Sequence, residues 1–102
     1  MYLENSKTIV VKIGSSLIID DKKIIRKKWL LEFAKDIKAL RKKKKNIIIV
    51  SSGAIALGCK KLNIVKKKLK IDQSQAVASV GQIELMNLFK DVFATQKINI
   101  SQ

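Results

Sequence analysis

Apolar residues fall into short unbroken runs and longer periodic stretches that alternate along the chain. Residues 8–13 (TIVVKI) form a short run rich in β-branched residues and close on Gly14-Ser15-Ser16, the pattern of a buried parallel strand ending in a polar loop. Over residues 24–43, Leu30, Phe33, Ala34, Ile37 and Leu40 recur at spacings of three and four with lysines between them, which predicts a crossover helix packing one face. The lysine run over residues 42–45 sits at its C-terminal end, where cations meet the negative end of the helix dipole. Residues 46–50 (NIIIV) predict a second buried strand, and Ser51-Ser52-Gly53 leads from it into a helix opening with Ala54-Ile55-Ala56-Leu57. A basic link over residues 63–70 precedes Asp72, the candidate N-cap of a long helix reaching residue 96. That helix carries apolar residues, among them Val77, Val80, Ile83, Met86 and Phe93, around more of its circumference than one packed face needs, which points to a second partner surface. Residues 98–100 (INI) predict the start of a third strand.

Strands alternating with helices predict an α/β fold: a mostly parallel sheet with helices on its faces, right-handed at each crossover. The 102 residues suit one domain or part of one, since a chain this long buries a single core. Ligands on such sheets bind beyond the carboxyl ends of the strands. The loops at residues 14–16 and 51–53 both lie there and are expected to face one crevice.

Composition narrows the functional classes. At 47% hydrophobic residues the chain is not a disordered tail, and its apolar runs are broken by charge too often for a membrane span. No charged segment followed by an apolar stretch opens it, so a cytoplasmic location is expected. The formal charge of +14 would attract polyanions, yet of 22 basic residues only Arg26 and Arg41 are arginine, the residue that reads phosphates and bases bidentately. A lysine-rich surface is usually a solvated one, and no specific nucleic-acid role is expected. Cys59 has neither a second cysteine nor a histidine with which to bind metal or form a disulfide, and reads as a buried filler.

Three places could carry chemistry. Lys12 lies inside an apolar strand just before a Gly-Ser-Ser loop; if buried it needs an anionic partner such as a phosphate, and if on an edge strand it simply points to solvent. Gly14, Ser15 and Ser16 could offer donors to phosphate oxygens or form a plain turn. Ser52, Gly53 and Ala54 place small residues at a helix N-terminus, where carboxylate or phosphate binds, the alternative being ordinary N-capping by serine. Gly53 and Gly58 approach the spacing of a nucleotide phosphate loop, but the lysine that follows is displaced to Lys60 and carries no Ser or Thr after it, so that motif is rejected. With no histidine and no glycines framing Ser52, a serine nucleophile is not indicated.

Taken together, VVKIGSS from Val10, IIIVSSGAIALG from Ile47 and QAVASVGQIELMNLF from Gln75 resemble, in order and spacing, the γ-glutamyl kinase branch of the amino-acid kinase family. The resemblance implies a three-layer αβα fold, of which this chain is the N-terminal part. It implies transfer of the γ-phosphoryl of ATP, with its Mg2+, to the side-chain carboxylate of L-glutamate, a step toward proline. By motif position Lys12 is the catalytic lysine that neutralises charge on the transferring phosphoryl and meets the nucleotide together with Gly14 and Ser15, while Ser52, Gly53 and Ala54 hold the glutamate. The resemblance also implies subunit packing through the helix of residues 72–96, hence a homo-oligomer. The full family domain is more than twice this length, so a product of 102 residues alone is expected to show no kinase activity. The alternative is a noncatalytic remnant or interaction module that pairs with itself or with a complementary fragment.

Overall fold

The structure, a computed structural model, describes residues 8–43, 45–65 and 69–101. Lys44 in the lysine run, the centre of the basic link and nearly all of the opening segment lie outside the described residues. Strands β1 (Thr8–Ile13) and β2 (Asn46–Ser51) pair in parallel, in a register that sets Thr8 beside Asn46, Lys12 beside Val50 and Ile13 beside Ser51. Helix α1 (Lys27–Lys42) connects them, and α2 (Ala54–Leu62) and α3 (Ile71–Ala94) follow. The α/β class and the parallel pairing are as the sequence pattern predicts.

The strands are half-buried rather than buried on both faces. Ile13 is enclosed, with Val11, Ile47 and Ile49 packed against the same core. On the opposite face Val10, Ile48 and Val50 stand 58%, 51% and 48% exposed. Leu30, Ala34 and Ile37 on α1, Leu57 on α2 and Leu85, Phe89, Val92 and Phe93 on α3 gather in one cluster with Ile13. Among the described residues the sheet therefore carries helices on one face and leaves the other open, two layers of an αβα arrangement.

Aromatic rings tie α1 to α3. Trp29 stacks on Phe33 with centroids 5.4 Å apart, Phe33 meets Phe93 edge-on at 6.1 Å, and Phe93 stacks on Phe89 at 6.0 Å. Such pairs add directional attraction to the area they bury. Cys59 is 2% exposed and free, a filler as expected.

Several boundaries move, each for a local reason. Helix α1 begins at Lys27 rather than residue 24 because Asp20 captures the preceding segment: its Oδ1 accepts the backbone N–H groups of Lys22 at 2.8 Å and Ile24 at 2.9 Å. An aspartate that satisfies nearby amides in this way competes with helix formation. Ile25 then bridges back to Ile19. Helix α3 starts at Ile71, so Asp72 lies in its first turn instead of capping it. The Gln73 side chain takes the reaching-back role, accepting the Lys70 N–H at 3.0 Å. Its other end falls at Ala94, two residues short of the expected limit.

Residues 98–100 do not form the predicted third strand. Lys97 turns the chain through φ 59°, and the Ile98 N–H donates to the Phe93 carbonyl at 3.0 Å, closing the end of α3. Ile98 is then buried in the core, so its backbone is committed to the helix end and not to the edge of β2. Between β2 and this segment runs an open groove of about 810 Å³, lined by Ile47, Ile49, Phe89, Ile98 and Ile100 among others.

Candidate functional site

Both polar loops emerge at the same end of the sheet because the strands are parallel and in register. After Ile13 the chain enters a single 3-10 turn, Ser15–Leu17, with Gly14 before it in extended conformation. A Cβ built on Gly14 would meet nothing within 4 Å, so this backbone is open to an approaching group. After Ser51 the chain turns through Gly53 at φ 118°, a conformation that side chains rarely adopt.

The loops touch. Ser52 donates its backbone N–H to the Ile13 carbonyl at 3.2 Å. A Cβ on Gly53 would stand 3.6 Å from both Cα and Cβ of Ser15 and 3.6 Å from Cδ1 of Ile18. Gly53 is thus the pivot that brings the start of α2 alongside the 14–16 loop.

No serine caps α2. Its N-cap is Gly53, with no side-chain hydrogen bond, and the hydroxyl of Ser51 instead donates to the Ser52 carbonyl at 2.9 Å. The capping alternative therefore falls, and the first N–H groups of α2 are left to backbone geometry and whatever binds there. Gly58 lies within α2, as the rejection of a phosphate loop requires.

Lys12 is exposed, which overturns its reading as a buried lysine in need of a partner. It occupies the open face of the sheet beside Val50, one residue before Ile13. Alternation along β1 puts Val11 and Ile13 inward and Val10 and Lys12 outward, a consequence of helices covering one face only.

The structure therefore brings Gly14, Ser15, Ser52 and Gly53 together and sets Lys12 on the adjoining strand end. Ala54, the first residue of α2, is 9% exposed. The large groove lies elsewhere: it shares Ser51 with this region but is lined by none of the six candidate residues. Lys12, Gly14 and Ser52 are exposed, Ser15 and Gly53 are partly buried, and Ala54 is buried. Among the described residues no three acidic or cysteine side chains cluster to hold a metal ion, and no helix is long and apolar enough to cross a membrane.

Sequence reasoning missed two glycines. A Cβ on Gly58 would overlap the Val77 carbonyl and stand 2.7 Å from Cγ1 of Val77; one on Gly81 would overlap the Ala54 carbonyl and stand 3.0 Å from Cα of Ala54. Helices α2 and α3 thus cross with backbone in contact at two places. A glycine inside an otherwise strong helical pattern was the signal, since glycine weakens a helix and needs a packing reason.

Residues 7–102 match the amino acid kinase family, and the chain belongs to that family. It is 74% identical over 102 residues to a glutamate 5-kinase of Pelagibacter ubique (strain HTCC1062), covering 100% of this chain and 28% of that protein. It is 42% identical over 101 residues to a glutamate 5-kinase of Ruegeria sp. (strain TM1040), and 44% identical over 100 residues to one of Sinorhizobium fredii (strain NBRC 101917 / NGR234), each match covering 98% of this chain. The chain spans about a quarter of the length of these relatives, 25–28%.

Proposed function

We propose that this chain forms the phosphate- and carboxylate-binding wall of a glutamate 5-kinase, which transfers the γ-phosphoryl of ATP to the side-chain carboxylate of L-glutamate on the way to proline. One observation carries the reading: two polar loops packed on each other at the carboxyl ends of parallel strands, beside a helix N-terminus that no side chain caps. Such an N-terminus offers unpaired N–H groups and the positive end of a dipole to an anion.

In this reading Ser52 with the backbone of Gly53 and Ala54 holds the glutamate. Gly14 and Ser15 line the phosphates, which the open space around Gly14 accommodates. Lys12, exposed on the adjoining strand end, neutralises charge developing on the transferring group, the kind of fixed electrostatic help on which phosphoryl transfer depends. Bound ATP supplies the phosphoryl group. Magnesium would travel with the nucleotide phosphates, since the described residues give it no ligand cluster.

Titration of the 15N-labelled chain tests this reading. Glutamate is expected to move the amide signals of Gly53 and Ala54, and ATP those of residues 14–16, both in the millimolar range expected of one wall of a site. ATP-induced shifts scattered over the lysines and abolished by salt would instead identify a general polyanion surface.

The open sheet face favours a second reading. Val10, Ile48 and Val50 are about half exposed on one contiguous strand pair, an apolar patch suited to pairing with a complementary length of amino-acid kinase. Sedimentation of the chain alone and mixed with the remainder of a relative separates pairing from a strictly monomeric chain.

A further inference from the structure

The first turn of α2 is held from two sides. On one side lie Ser15 and Ile18, close enough that a Cβ built on Gly53 would stand 3.6 Å from each. On the other, Gly81 of α3 approaches so closely that any side chain there would overlap the Ala54 carbonyl. That carbonyl belongs to the first residue of α2, whose N–H is one of those proposed to meet the substrate. Gly58 makes the equivalent contact with Val77 further along α2, away from the loops.

We propose that Gly81 is a positioning residue for the anion-binding turn: by admitting the Ala54 carbonyl against its own backbone, it sets where along α3 the start of α2 rests and so where the N–H groups of Gly53 and Ala54 point. The proposal rests on the reading of that turn as the carboxylate site. Gly81 itself touches no ligand; it acts through Ala54. A methyl at position 81 has no space, so α2 must slide or tilt at its N-terminus, while a methyl at position 58 loads the same helix pair at a distance from the loops.

The pair Gly81→Ala and Gly58→Ala in the full chain provides the test, because both crowd one interface and only one does so beneath the turn. Without ligand, Gly81→Ala is expected to displace the amide signals of Gly53, Ala54 and Ile55, and Gly58→Ala to displace those around Val77 instead. With glutamate, Gly81→Ala is expected to weaken binding about tenfold or more and Gly58→Ala by about twofold or less, as misplacing a binding group by a fraction of an ångström does. Equal losses in the two variants, or unmoved signals at residues 53–55 in Gly81→Ala, would overturn the proposal. A wild-type chain that ignores glutamate would sink the site reading, while the ligand-free comparison still decides the role of Gly81. Should Gly81→Ala fail to fold, wild-type hydrogen exchange decides. The Leu57 amide, bonded to the Gly53 carbonyl at 2.9 Å, is expected to open in step with the α3 amides flanking Gly81, and independent opening refutes the coupling.

Discussion

The backbone N–H of Ser52 donates to the carbonyl of Ile13 at 3.2 Å, so the pairing of the two strands runs one bond past the end of β2 and into the loop. That bond fixes the two polar loops relative to each other before any ligand binds. Gly53 then has to reverse the chain within a single residue, at φ 118°.

Replacing Gly53 with alanine tests the pivot. The added methyl has room, its nearest neighbours standing 3.6 Å away, so the penalty is conformational. Forcing a side chain into this region costs about 1–3 kcal/mol. A lower urea midpoint with unchanged slope is the expected outcome; unaltered stability would mean the turn is not held as described.

At Gly58 two effects oppose each other. Alanine in a helix interior is favoured over glycine by about 1 kcal/mol, which alone would stabilise α2. Overlap with the Val77 carbonyl, and a 2.7 Å approach to its Cγ1, forces the two helices apart. Overpacking of this kind costs about 1–3 kcal/mol, so the net change is expected to be destabilising. Thermal unfolding of Gly58→Ala checks the sign, and a rise in Tm would refute the close crossing.

Phe93 is 1% exposed and contacts the rings of both Phe33 and Phe89. Phe93→Ala is expected to lose about 3–5 kcal/mol, a large fraction of what a domain of this size has. Circular dichroism in urea should show a chain at or near unfolding, whereas a loss below about 1 kcal/mol would mean that α1 and α3 are not joined through this residue.

Lys12 separates stability from function. As an exposed residue, its replacement by alanine should leave stability within about 0.5 kcal/mol. Within a complete kinase the same change is expected to slow phosphoryl transfer by about 10²–10³-fold, the scale of losing one fixed electrostatic partner. A variant with normal turnover would return Lys12 to a solvated lysine on an open sheet face.

Much of the architecture was legible in the chain because period and punctuation agreed. The β-branched runs over residues 8–13 and 46–50, each followed by small polar residues, marked the strands, the second of which extends one residue further to Ser51, and the shared end at which the loops meet. The exposure of Lys12 was not legible. A short apolar run looks alike whether one face or both are covered, and only the placement of the helices decides it. The strand expected at residues 98–100 failed for a different reason: the Ile98 N–H closes the end of α3, a competition between helix end and sheet edge that side-chain pattern does not record. At α3, the candidate cap Asp72 was displaced to the first turn because Gln73 could reach back to the Lys70 N–H. Gly81 stood in plain view within QAVASVGQ, but its role depends on which helix crosses it, which the linear sequence does not state.

Whether residues 12–16 and 52–54 serve a phosphoryl-transfer site is decided by a chimera. Exchanging this chain for the matching segment of the Pelagibacter ubique glutamate 5-kinase, with which it shares 74% identity, joins it to the rest of that protein. Measured by coupled ADP release, the chimera is expected to show glutamate-dependent ATP turnover that the 102-residue chain alone does not. A folded chimera without glutamate-dependent turnover, or the same turnover by the isolated chain, would refute that role for these residues.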